Sequence, residues 1–310
     1  MHKKISVVIP AYNAERFIAQ AVESALSQSV PPLEVVVVDD GSRDGTGSVV
    51  GNYDGRVSYI RQANAGPAAA RNRGIREAKG EWIAFLDSDD FWDRNHLELL
   101  VNEAGTRKDI ALVYSGKKYV DIDGKHIPNA HKQTQFPSGW IFSEMFDANY
   151  ISSTSVVLAK RETLSRLGGF NEGMRNSEDY DLWLRIAAEA PMCGVPAYTV
   201  NYRRHESNLT LNSMAQIRGH LAALDHALAL ISAQRIDSRN NPERMNTRKS
   251  MQKYYSEFAI SMFHLREYKE LRLLGLKALR KGYLSEALVL RCLLSLAPPA
   301  ILERLRKLRT

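Results

Sequence analysis

Two carboxylates one residue apart, Asp87 and Asp89 in the run Asp87-Ser88-Asp89-Asp90, are the side chains of this sequence best suited to chemistry. Leaving a strand into a loop at that spacing, they can hold a hard divalent cation and leave coordination positions for phosphate oxygens. A second acidic run, Asp39-Asp40-Gly41-Ser42-Arg43-Asp44-Gly45-Thr46, offers carboxylates able to accept from a base or sugar donor. By itself that run is also ordinary turn chemistry, in which Ser42 or Asp44 caps a helix. A third piece, Pro10-Ala11-Tyr12-Asn13, supplies a ring that can stack on a base, with Asn13 expected to cap the helix behind it. Neither a dinucleotide glycine fingerprint nor a P-loop occurs, so a metal must do more of the work of holding phosphates. Together the pieces suit a metal-bound phosphate compound.

Each piece ends an apolar run that reads as a buried strand: Ile5 to Ile9, Leu33 to Val38 and Trp82 to Leu86. Between them, Phe17, Ile18, Ala21, Val22, Ala25 and Leu26 recur at helical spacing. A short strand over 57–60 and a small-residue helix over 68–78, opening near Pro67, complete the series. Alternation of this kind predicts a parallel sheet with right-handed crossovers, whose carboxyl edge is where ligands bind. A helix from Leu97 and a strand at Ala111 to Tyr114 close a nucleotide-binding half over 1–115. From Lys117 to Trp140 the pattern breaks into loops and short strands. A strand over 153–158, a helix over 161–167 ended by Gly168-Gly169, a helix over 179–188 and a strand over 198–202 then make an acceptor and catalytic half, 116–208. Trp82, Trp92 and Trp183 read as core or pocket-wall residues. Amphipathic helices over 214–234, 247–265 and 267–282, broken at Asn240-Asn241-Pro242, form a helical C-terminal region, 209–310. Leu288 to Leu296 and Ile301 to Arg309 end it with one apolar and one basic side.

These motifs stand in the order of the family 2 glycosyltransferases, which the chain resembles over residues 5 to about 205. The matching pieces are Val8-Ile9-Pro10-Ala11-Tyr12-Asn13, Val38-Asp39-Asp40-Gly41-Ser42, Asn64-Ala65-Gly66 through Ala70-Arg71-Asn72-Arg73-Gly74, Phe85-Leu86-Asp87-Ser88-Asp89-Asp90 and Glu178-Asp179-Tyr180-Asp181-Leu182-Trp183. The resemblance implies a GT-A fold: an α/β, Rossmann-like, mixed and mainly parallel sheet flanked by helices. It implies a nucleotide-diphosphate sugar donor, usually a UDP-sugar, lying against Pro10, Tyr12, Asn13, Asp40, Arg71, Asp87 and Ser88. Asp40 corresponds to the base-contacting residue and Asp87 to the acid near the ribose. Asp89 corresponds to the ligand of Mg²⁺ or Mn²⁺, and His205 to a position that can approach the metal or diphosphate. Arg203 or Arg204 can instead screen the diphosphate, and Arg71 can equally be a salt bridge from a helix face. Glu178 and Asp179 resemble the pair that supplies the catalytic base, Asp179 first. Their competing reading is compensation of a helix dipole.

The function expected is therefore an inverting, metal-dependent transfer of a sugar to an acceptor hydroxyl, in surface polysaccharide or glycolipid synthesis. The rivals are a nucleotidyltransferase acting on a sugar phosphate and a noncatalytic nucleotide-sugar binding module. The chain has 310 residues and a net charge of +7. Residues 266–310 alone carry eleven Lys or Arg against four Glu, which points the excess at an anionic membrane surface met by the tail. A balanced remainder argues against a nucleic-acid reader. Two cysteines, Cys193 and Cys292, suit a reducing compartment, and no apolar run reaches the ~20 residues of a spanning helix. The expected place is the cytoplasm, peripheral at the inner face of the membrane. The partners expected are the donor and a saccharide or lipid-linked saccharide acceptor.

Overall fold

The computed structural model describes residues 4–128, 133–205 and 213–297. Two compact units result, Met1–Pro242 and Glu243–Thr310. In the first, the elements follow as β1 (Ile5–Ala11), α1 (Ile18–Leu26), β2 (Glu34–Asp39), α2 (Thr46–Gly51), β3 (Ser58–Arg61), α3 (Pro67–Glu77), β4 (Trp82–Phe85), β5 (Phe91–Trp92), α4 (His96–Thr106) and β6 (Leu112–Val120). Then come α5 (Phe142–Asp147), β7 (Val157–Lys160), α6 (Arg161–Arg166), α7 (Glu178–Glu189), β8 (Met192–Arg203) and α8 (Ser213–Ser232).

The strands form one sheet in the order β3-β2-β1-β4-β7-β6-β8-β5. Neighbours from β3 to β4 are parallel, because a helix returns the chain after each strand. β7 runs antiparallel to both β4 and β6, β8 parallel to β6, and β5 antiparallel to β8. Helices cover both faces of the central strands, so β1 and residues Val35 to Val38 of β2 are wholly buried, as their unbroken apolar runs require. β1 lies between β2 and β4, which sets the three strand ends singled out above side by side at one edge.

The structure departs from the sequence pattern in four places. β6 continues unbroken to Val120 into a segment expected to be loops and short strands, because the long β8 pairs with it beyond a register shift between Tyr114 and Lys117. The strand expected from Ser153 opens instead as a 3-10 turn over Thr154–Val156. β5 is two residues long and left no periodic trace. The expected boundary at 208 lies instead at Pro242, since α8 belongs to the first unit: His220 stacks on Tyr180 of α7 and His226 bonds Asp181 at 2.7 Å.

The second unit packs α9 (Thr247–His264), α10 (Tyr268–Lys281) and α11 (Glu286–Leu294) around Met251, Tyr255, Leu271, Leu274, Ala278 and Leu288. α10 stops at Gly282 in the left-handed conformation, φ 75°, which glycine adopts without steric cost. Among the described residues no helix is long and apolar enough to cross a membrane. The basic segment Ile301 to Arg309 lies outside the described residues.

Candidate active site

The centre of the site is a buried arginine between two acids. Gly66 (φ 93°) turns the chain into α3 with Pro67 at the first helical position, and Arg71 follows one turn later, its side chain 9% exposed. Arg71 donates from Nη2 to Asp87 Oδ1 at 2.7 Å and from Nη1 to Glu178 Oε1 at 2.9 Å. The salt bridge from a helix face that the sequence offers for Arg71 is present. The carboxylates hold the guanidinium charged despite its burial. Asp87 also accepts from Thr154 Oγ1 at 2.9 and 3.0 Å, so its carboxylate is anchored from both sides.

Glu178 and Asp179 open α7 directly after Ser177, which is left-handed at φ 59°. Glu178 is consumed by Arg71, whereas half-buried Asp179, among the described residues, accepts only the amide of Tyr180, at 2.7 Å. Desolvation first, and the charge of Glu178 second, push the Asp179 carboxyl up to about 6, with Arg71 and the Tyr180 amide pulling the other way. A carboxylate with its proton affinity raised toward neutrality is a better general base than an ordinary one.

Asp89 and His205 converge, Oδ2 to Nε2 at 3.0 Å, and the imidazole stacks on Phe17 with centroids 5.1 Å apart. Among the described residues no group of three His, Cys, Asp or Glu could hold a metal ion. A two-residue donor set nevertheless fits Mg²⁺ or Mn²⁺, which sites of this kind hold by few protein ligands and complete with phosphate oxygens and water. Asp90 is buried and caps no helix, since α4 starts at His96 behind Asn95. It accepts from Ser155 Oγ at 2.6 Å and from the Arg203 amide at 3.0 Å, and burial beside Asp89 and Asp87 drives its carboxyl well above the usual range. Arg203 is likewise spent internally, donating to the carbonyls of Asp89 and Ile122.

At the far end of the edge, Asp40 is 3% exposed and accepts from Gln62 Nε2, the Ala65 amide and the Gly66 amide at 2.8, 2.9 and 2.8 Å, which shapes the turn leading into α3. Asp39 accepts from Ser42 N and Tyr59 Oη; burial and that bond push the Tyr59 phenol up to about 12. Asn13 does not cap α1. Left-handed at φ 49°, it accepts from the Arg43 amide at 2.8 Å and donates its own amide to Ser42 Oγ, tying the first loop to the second. Tyr12 is 49% exposed, Pro10 is buried in the strand pairing with Val38, and Ser88 sits half-buried between the two acids.

Sequence reasoning missed Thr154, Ser155 and Lys117. The first two arrive on the 3-10 turn and hold Asp87 and Asp90. Lys117 stands on the part of β6 read as loop, near Asp90, Asp179 and Asp87; desolvation brings its ammonium down to about 8 against the pull of those acids. Alternation along β6 was the available signal, obscured by the register shift.

A family profile described as Glycosyl transferase family 2 matches residues 6–156. Chondroitin synthase of Escherichia coli is 31% identical over 229 residues, 73% of this chain and 32% of that protein. Hyaluronan synthase of Pasteurella multocida is 31% identical over 228 residues, 72% of this chain and 23% of that protein. The chain thus spans about a third or less of the length of these relatives. Among solved structures, S. aureus TarS 1-349 in complex with UDP-GlcNAc gives a TM-score of 0.62 at 21% identity, over 84% of this chain and 73% of that one. The mannosyltransferase PcManGT of Pyrobaculum calidifontis, in complex with GDP-Man and Mn²⁺, gives 0.55 at 20% identity, over 75% of each. These structures share the GT-A fold expected from the sequence. The profile runs from β1 through the 3-10 turn that anchors Asp87, and the chain belongs to glycosyl transferase family 2.

Proposed function

We propose that this chain transfers a sugar from a nucleotide-diphosphate donor, foremost a UDP-sugar, to an acceptor hydroxyl with inversion. The observation that carries the reading is Asp179, raised to about 6 and adjoining the Glu178–Arg71–Asp87 bridge that ties α7 to the strand end bearing Asp89. Asp179 takes the proton of the acceptor hydroxyl as that oxygen bonds to the anomeric carbon. The bond from that carbon to the diphosphate breaks, and the nucleoside diphosphate leaves with the electron pair. Asp89 and His205 would hold the Mg²⁺ or Mn²⁺, which when bound offsets charge on the leaving diphosphate. At the nucleoside end, Asp40 Oδ2 has one acceptor position beyond its bond to Gly66, and Tyr12 offers its exposed ring. The names of the relatives, chondroitin and hyaluronan synthases, support a saccharide acceptor in polysaccharide assembly.

A screen of UDP- and GDP-sugars, read as nucleotide release with and without Mn²⁺, tests the reading. Release from one donor, stimulated by metal and by saccharide acceptors, is expected, with the stimulation by Mn²⁺ lost in Asp89→Asn. No release from any donor under either condition overturns it.

A further inference from the structure

Strand alternation sorts the end of β8 into two faces. Arg203 turns to Phe17 and Phe91 on one side, where His205 also stacks on Phe17. Tyr202 and Arg204 turn to the other, as do Lys117 and Tyr119 of β6, where Tyr119 pairs in register with Tyr202. There the two rings meet edge to face, centroids 5.7 Å apart. Lys117 Nζ lies 3.9 Å from the centroid of Tyr202 and Arg204 Cζ 4.1 Å from that of Tyr119. Lys117 also donates to the Ser152 carbonyl at 2.8 Å, next to the turn that anchors Asp87. Two cations are thus preorganised on aromatic rings, close enough that Arg204 disfavours the charge on Lys117, and Lys117 lies within electrostatic reach of Asp90 and Asp179. Arg204 is exposed and Lys117 and both rings are half-buried, so the group is reachable. Among the described residues neither cation is taken up in a salt bridge with the site acids, unlike Arg71.

We propose that Lys117 and Arg204, seated on Tyr202 and Tyr119, form the subsite for an anionic group, carboxylate, sulfate or phosphate, of the acceptor saccharide. Location favours the acceptor over the donor diphosphate: the pair shares a face away from Arg203 and His205, and Lys117, which feels Asp90 most, also feels Asp179, the base that must meet the acceptor hydroxyl. The inference rests on the glycosyl-transfer reading.

The test uses the full chain with UDP and Mn²⁺ present and two probes, methyl glucuronoside and methyl glucoside, titrated by saturation-transfer NMR. The wild type is expected to bind the glucuronoside about tenfold more tightly, the worth of one good charge contact. Lys117→Met, which keeps the side-chain stem, and Arg204→Gln, at an exposed position, should each erase most of that preference while the calorimetric affinity for UDP stays within about threefold. Equal binding of the two glycosides by the wild type overturns the inference. So does a preference that survives both substitutions, or a loss of UDP affinity with the preference intact, which would assign the cations to the diphosphate. Absence of UDP binding by the wild type overturns the transfer reading itself, a result distinct from UDP binding without discrimination.

Discussion

Arg71 gives up its hydration and recovers it in two charge-assisted bonds, so removing the arginine strands two acids rather than one. Arg71→Met should therefore cost about 3–5 kcal/mol in urea denaturation. Arg71→Lys should rescue little, because one ammonium cannot reach Asp87 and Glu178 with the fixed fork of a guanidinium; wild-type stability in the lysine variant would refute the bridge. Asp179 behaves oppositely. Its folded proton affinity, near 6, exceeds the ordinary carboxylate value of ~3.9, so the folded state holds the proton more tightly and stability falls as pH rises from about 4 to 6. Asp179→Asn should then raise stability at neutral pH by on the order of 1–2 kcal/mol and lower transfer at least ~100-fold. In the wild type, kcat/KM should climb with unit slope below pH 6 and level above it. A profile flat from pH 4.5 to 7.5 would remove Asp179 as the base. Asp39, Asp40, Asp87 and Asp89 were legible in sequence because each pair ends an apolar strand, whereas Glu178 and Asp179 open a helix and stood out only through the family resemblance. The bridge was not, since Arg71 finds partners 16 and 107 residues away.

Elements deliver these side chains through close contacts, and α3 makes one of them against β1. A Cβ placed on Gly74 would overlap Val8 Cγ1, so glycine at this position sets how near Arg71 can come to the sheet edge. Gly74→Ala should lift α3, cost about 1–3 kcal/mol of stability and lower kcat/KM by a larger factor than kcat. Val8→Ala in the same chain should return most of both by making room. If the double variant is as impaired as the single one, the contact does not govern the position of α3. β1, β2, β4, α1, α3 and α7 were legible because their apolar spacing agrees with the contacts they make. β5 and the extension of β6 were not, because both exist only by pairing with β8, and cross-strand pairing leaves no period in the partner's sequence.

At the scale of the whole chain, charge and apolar exposure coincide in the second unit. The eleven Lys or Arg against four Glu over 266–310 were legible from composition alone. What the fold adds is a set of uncovered apolar side chains on the same helices: Leu273, Leu276 and Leu279 of α10, and Val289, Leu290 and Leu293 of α11, each 40–59% exposed. A basic unit with exposed apolar side chains has the two attractions that peripheral membrane binding needs, burial in the interfacial layer and about 1 kcal/mol per basic side chain near an anionic surface. The full chain should therefore float with vesicles rich in phosphatidylglycerol and stay behind with phosphatidylcholine alone. Raising the salt to about 1 M, where the screening length falls to ~3 Å, should weaken flotation without abolishing it. Leu290→Glu combined with Leu293→Glu should remove the component that survives salt, since those side chains carry the apolar share. A chain ending at Pro242, the limit of the first unit, should stay at the bottom under every condition while still binding UDP. Equal flotation of the full and shortened chains would place the contact in the first unit and overturn the assignment of the second to the membrane.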